Sequence, residues 1–256
     1  MSRLLCIILP ITFRQSSSGA KSYKINITQC TSTSKISRNL VTCLKFWKDG
    51  SQKLCQGSED LTMRVWDVRI ISNQSAHASC SLTFGKYVYF PLDADVSSCG
   101  TYVISGSKGF DGNGCEGRIW DMRSPATPLF FLEGHEQDTV GCCFIGCVPG
   151  WHENKLICTV SKDCTVKIWN AENGSCLCTH EEEGSGTWTS VRAWQEQAEE
   201  AEAGAGGNIS TWGEEKPHIV ATTYFGGVYI FSVITADGGE KVKLKAINMV
   251  SPVQEE

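Results

Sequence analysis

The chain has 256 residues, 20% of them charged, and a net charge of -5. A chain of this length buries most of its surface without needing a disulfide or a metal. The acidic balance offers no basic footprint for nucleic acid or an anionic membrane, so the expected partners are other proteins.

The N-terminus opens with Arg3 and the apolar run Leu4–Phe13, followed by small residues at Ser16–Ala20, the outline of a short signal sequence. That run is too short to span a bilayer and is broken by Pro10. With the rest of the chain read as a reduced intracellular protein, residues 1–22 are expected to be a poorly ordered leader in a cytoplasmic chain. Residues 23–37 then read as the end of a preceding β unit, and Arg38–Trp47 as a strand.

Next comes the segment Ser58-Glu59-Asp60-Leu61-Thr62-Met63-Arg64-Val65-Trp66-Asp67. It recurs as Ser161-Lys162-Asp163-Cys164-Thr165-Val166-Lys167-Ile168-Trp169-Asn170, with a partial copy, Arg118-Ile119-Trp120-Asp121, between them. The three tryptophans recur at intervals of about 50 residues, a little over one four-stranded repeat unit. Thr62–Trp66 and Thr165–Trp169 alternate polar with apolar residues, the period of a half-buried strand, and each follows a Ser-x-Asp tight-turn signal.

Two insertions interrupt the repeat. Gly106–Gly117 enlarges a hairpin and contains Gly112-x-Gly114-x-x-Gly117, formally a dinucleotide fingerprint, but a strand follows where a phosphate would need a helix N-terminus. Asp111, Asn113 and Glu116 lack the order of a calcium loop. The plain reading is a flexible turn, and the sharper one is a partner-binding loop carrying Phe110, Asp111 and Asn113. The second insertion, acidic and expected to be disordered, spans residues 195–215 and contains QEQAEEAEAGAGG. After it, His218–Tyr224 and Val228–Val233 flank Gly226-Gly227, a hairpin signal, and residues 250–256 form a tail.

Fourteen cysteines occur without one C-x-x-C pair, which argues for buried reduced thiols over a zinc site, and the irregular set Cys142, Cys143, Cys147 and His152 does not alter that. No cofactor is implied.

These segments resemble WD repeats. Gly134-His135 supplies the family's Gly-His dipeptide, and Trp66-Asp67 and Trp120-Asp121 its Trp-Asp dipeptide. The resemblance implies an all-β fold, a β-propeller of which about four blades are present as a partial or open ring: 38–84, 85–133, 134–183 and 184–249. Propellers of this family usually carry more blades, so the expectation is a form shortened by about three N-terminal ones. It also implies a buttressing network in which His135 donates to Asp163 and Thr159 bridges His135 to the Trp169 indole. Asp60, Trp66 and Trp120 stand at the equivalent places, but Gln56 replaces the hydroxyl in the first repeat, so that network should be broken.

Threonine, histidine and aspartate also raise the thought of a hydrolase triad, but no Gly-x-Ser-x-Gly elbow is present and the spacing is that of the repeat. His77, His152, His180 and His218 are scattered, which argues against a propeller enzyme. The function implied is a non-catalytic protein-binding scaffold. Ser37–Trp47 and Gly109–Arg123 resemble a ciliary WD-repeat subfamily, whose partners would be ciliary transport or small-GTPase regulatory proteins at the cilium or its base. A substrate receptor of a ubiquitin-ligase complex is the alternative.

Overall fold

A computed structural model describes residues 40–47, 51, 53–67, 80–148, 150–153, 155–182, 184–194, 217–236, 241–247 and 250, and the backbone at 7–8, 11–13, 23–25, 28–29, 195 and 248–249. The described backbone of the N-terminal part is four short strands, β1 (Ile7–Ile8), β2 (Ile11–Phe13), β3 (Tyr23–Ile25) and β4 (Thr28–Gln29). β1 pairs with β4 and β2 with β3. Apart from these strands and Gln195, the expected leader, the residues 30–37 and the acidic insertion lie outside the described residues, as does the tail beyond Val250.

Four antiparallel four-stranded sheets follow, each in simple sequence order. The first is β5 (Val41–Phe46), β6 (Lys53–Ser58), β7 (Thr62–Asp67) and β8 (Cys80–Phe84). The second is β9 (Pro91–Val96), β10 (Tyr102–Ser107), β11 (Gly117–Asp121) and β12 (Phe130–Leu132). The third is β13 (Thr139–Ile145), β14 (Leu156–Ser161), β15 (Thr165–Asn170) and β16 (Cys176–Glu181). The fourth is β17 (Trp188–Gln195), β18 (Pro217–Thr223), β19 (Val228–Ala236) and β20 (Lys241–Val250). The chain is thus all-β, with no helix among the described residues.

The turn chemistry explains why the middle strands fold back. Thr62 donates its hydroxyl to Asp60 at 2.6 Å, and Thr165 does the same to Asp163 at 2.7 Å, closing each turn on its own aspartate. The next position needs a left-handed residue: Leu61 (φ 64) and Cys164 (φ 68) accept it, and the fourth sheet uses Gly226 (φ 84).

β5, β9, β13 and β17 lie side by side as the first strands of successive sheets. They run in the same direction: Thr42 meets Pro91 while Lys45 meets Asp95, and Asp93 meets Cys142 while Asp95 meets Phe144. All hairpin turns between second and third strands therefore lie at one end of the molecule.

Each seam between sheets has its own core. Met63, Val65 and Phe84 pack on Ala94, Val96, Val103 and Trp120 in the first. Ile104, Ile119 and Leu132 meet Cys142, Phe144, Ile157 and Trp169 in the second. Cys143, Cys158, Val160 and Ile168 meet Trp188, Val191, Tyr229 and Phe231 in the third. Strand alternation places opposite faces of the second and third sheets in successive seams, the packing of propeller blades. Cys142 and Cys143 accordingly point into different seams, and Cys147 is exposed, so they do not converge on one point.

Candidate functional site: blade networks and the turn end

In the third sheet the side chains of four elements meet. His135 Nδ1 lies 2.9 Å from Asp163 Oδ2, and His135 Nε2 lies 2.8 Å from Thr159 Oγ1. The Trp169 indole N–H donates to the same Thr159 oxygen at 2.7 Å. The bonds form a one-way chain when the proton sits on Nδ1: the indole donates to threonine, threonine to Nε2, and Nδ1 to the carboxylate. That tautomer is assigned from the network.

Asp163 also accepts from the Glu136 and Thr165 backbone N–H groups at 3.0 and 2.9 Å. Burial works to raise its carboxyl, but the hydrogen bonds from His135, Thr165 and the Glu136 N–H outweigh it and hold the group well below the ordinary carboxylate range. The trio has the distances of a catalytic triad without its access. Thr159 is fully buried, its oxygen occupied by the indole, so no carbonyl could reach it.

The second sheet solves the same problem with other residues. Trp120 sits opposite Val103 as Trp169 sits opposite Ile157. Its indole donates to Tyr87 Oη at 3.1 Å, and Tyr87 bonds Ser105 at 2.7 Å. Arg118 lies 4.3 Å from the Tyr87 ring centroid and is fixed by Glu116 at 2.6 Å. Tyrosine thus replaces histidine. Sequence reasoning missed it because the enlarged hairpin puts Ser105 15 residues before Trp120, whereas Thr159 precedes Trp169 by 10.

The first sheet is incomplete. Asp60 pairs with Arg64 at 2.8 Å, but the buried Trp66 N–H has no hydrogen-bond partner among the described residues, Gln56 standing where the hydroxyl belongs. In the fourth, Phe231 occupies the tryptophan position opposite Ile219, and Ala221 that of the hydroxyl. There the polar chain has become an aromatic cluster of Trp188, Tyr229 and Phe231.

Near the axis, charges from first strands seal the seams. Asp95, almost fully buried, pairs with Lys45 at 2.8 Å and accepts the Phe144 N–H at 3.0 Å. Asp93 accepts the Cys142 N–H at 3.1 Å and pairs with Arg192 at 2.8 Å. These carboxylates satisfy amides on the otherwise open edge of β13. Nothing in the repeat pattern marks them.

The candidate partner loop is built rather than free. Gly109 N–H donates to Asp138 at 2.9 Å and Gly112 N–H to Glu136 O at 3.0 Å, while Ser107 donates to Gly114 O at 2.8 Å. Phe110 pairs back to Asn113 and across to Gln137, just before β13. The flexible-turn reading is therefore corrected: hydrogen bonds strap the loop to the third sheet, leaving the Phe110 ring 73% exposed. At the same end, Leu61 and the Tyr224–Phe225 pair on other hairpin turns are exposed.

A family model described as WD domain, G-beta repeat, matches residues 28–67 and 126–170. These fall on the first and third sheets, where Asp60 and Trp66, and His135, Thr159, Asp163 and Trp169, were found. The four sheets are consistent with propeller blades, and the matched residues are similar to the WD, G-beta repeat. Two fungal proteins are similar to part of the chain. Nuclear distribution protein nudF of Aspergillus niger is 23% identical over 148 residues, 58% of this chain and 30% of that protein. Nuclear distribution protein nudF 1 of Talaromyces marneffei is 25% identical over 142 residues, 56% of this chain and 27% of that protein. The matched part of the chain thus spans less than a third of either relative. WD repeats imply a protein-interaction scaffold, the coarse function the family match supports.

Proposed function

We propose that the chain is a non-catalytic scaffold at the cilium or its base, engaging ciliary transport or small-GTPase regulatory proteins through the turn end of its blades. The observation that carries the binding half is the strapped loop: it holds an exposed Phe110 on a rigid frame, so little ordering entropy is lost on contact. The ciliary half is supported by the resemblance of Ser37–Trp47 and Gly109–Arg123 to WD repeat-containing protein 31. The name of the fungal relatives, nuclear distribution protein, favours a second reading in which the scaffold serves organelle placement.

The test is proximity labelling and imaging of the full chain in ciliated cells, beside a Phe110→Ser/Asp111→Ala variant. Ciliary enrichment lost in the variant supports the proposal. Labelling of ubiquitin-ligase adaptors or of nuclear-envelope proteins instead would move the function to those readings. Turnover in a hydrolase panel, abolished by Thr159→Val, would overturn the non-catalytic assignment.

A further inference from the structure

β11 and β12 are joined by a loop containing Ser124-Pro125-Ala126-Thr127-Pro128, two hydroxyl residues each followed by proline. The chain's third such dipeptide, Ser251-Pro252, lies outside the described residues. The loop is hydrogen-bonded only near its ends: the Ser124 N–H donates to Asp121 O at 3.0 Å and the Leu129 N–H to Ile119 O at 2.7 Å. Between them, residues 125–128 make no backbone hydrogen bond among the described residues. Ser124 and Thr127 are exposed, and their hydroxyls meet no partner among the described residues. The hydroxyls of Ser105, Thr159 and Thr165, by contrast, are tied into the blade networks.

The loop's place in the fold leaves it within reach of an enzyme. The second blade packs on the first through one face and on the third through the other, so a further blade would lie against neither. As a turn between third and fourth strands, the loop sits at the end opposite the Phe110 hairpin. Proline fixes its own φ and biases the residue before it towards an extended backbone. Ser124 and Thr127 are both biased in this way, and no residue of the loop is left-handed. An extended, exposed stretch of this kind is what a kinase cleft accepts, whereas a strand locked in a sheet is not.

We propose that this loop is a phosphorylation site, Thr127 and Ser124 being modified in the folded chain by a proline-directed serine/threonine kinase. A pocket built for proline after the acceptor residue asks for no amide N–H there, and Pro125 and Pro128 have none. In each transfer the hydroxyl oxygen attacks the γ-phosphorus of ATP, the bond to ADP breaks, and the hydroxyl proton passes to the kinase's catalytic aspartate. Each phosphate brings up to about two negative charges. On Ser124 it competes with Asp121 for the neighbouring Arg123, 71% exposed and now paired with that carboxylate at 2.7 Å. The charge lands away from the buried networks, so it changes the surface offered to a partner and leaves the blade folded. The inference rests on neither the ciliary partners nor the Phe110 loop.

The test incubates the purified full chain with a mitogen-activated protein kinase, Mg²⁺ and ATP, and maps phosphate by mass spectrometry, beside a free peptide of residues 118–133. Phosphate appears on Thr127 and Ser124 at a rate within about tenfold of the peptide's, because no blade has to open first. Pro128→Ala lowers labelling of Thr127 by about tenfold or more and spares Ser124, and Pro125→Ala does the reverse. The modified chain melts within about 2 °C of the parent. In cells treated with a phosphatase inhibitor, the full chain carries phosphate at one or both positions, and an inhibitor of proline-directed kinases removes it. Four results overturn the proposal: no phosphate at either position in the native chain, labelling only after unfolding in urea, indifference to both proline substitutions, or neither position modified in cells. A larger fall in melting temperature overturns the claim that the blade is left intact. Loss of ciliary labelling in the Phe110 variant leaves all of these untouched, so the two readings fail separately.

Discussion

Replacing Thr159 by valine keeps the shape of the side chain and removes one oxygen. That oxygen is the node of the third blade: it accepts from the Trp169 indole at 2.7 Å and bonds His135 Nε2 at 2.8 Å. All three side chains are buried, so no water replaces the lost partner. Leaving a buried polar group unsatisfied costs about 1–3 kcal/mol, and here two are left, partly offset because valine itself has no hydroxyl to desolvate. The expected loss is about 2–4 kcal/mol. Thr159→Ser keeps the node and sheds one methyl, for a loss of about 1 kcal/mol. Urea titrations followed by tryptophan fluorescence give both values. A valine variant within about 0.5 kcal/mol of the parent, or a serine variant less stable than the valine one, would refute the claim that the hydrogen-bond chain stabilises the blade.

Four further outcomes are expected. Tyr87→Phe keeps the ring under Arg118 but leaves the Trp120 N–H with only the longer contact to Ser105, at 3.4 Å; thermal or urea unfolding should show a loss of about 1–2 kcal/mol. Asp95→Ala strands the Phe144 N–H and the Lys45 ammonium, so urea titration should read a loss of about 3 kcal/mol or more, with Asp95→Asn milder because it keeps an acceptor. The folded Asp163 carboxyl is held below its unfolded value of about 3.9, so its contribution is full above that pH and fades as pH falls below it. Asp163→Asn should therefore flatten this part of the acid limb of stability, measured as the urea midpoint from pH 6 downward. Burial pushes the Cys55, Cys142 and Cys158 thiols far up, and burial together with Asp93 pushes Cys43 up to about 12. Mass spectrometry after brief alkylation of native protein should find label on exposed Cys99, Cys147 and Cys176 and not on those four.

The repeat was legible because its signals are local. Alternation, the Ser-x-Asp turn and the Gly-His dipeptide each act within a few residues and carry the resemblance to WD repeats, and it was that resemblance that implied contact among His135, Thr159, Asp163 and Trp169. The resemblance also marked the gap at Gln56, where the Trp66 indole has no partner among the described residues. What stayed hidden depends on what lies across a seam. Tyr87 is a poor match by type and spacing, and becomes the partner of Trp120 only because the first and second sheets pack around both rings. Asp93 and Asp95 look like ordinary strand residues until parallel first strands bring β13's unpaired amides beside them. The Phe110 loop read as loose because glycine permits freedom, whereas its order comes from the next blade's Glu136 and Asp138. Periodicity and turn chemistry are written in neighbouring residues and fix each blade. Which face is covered, and which polar edge finds its partner, is settled only when sheets distant in sequence come together.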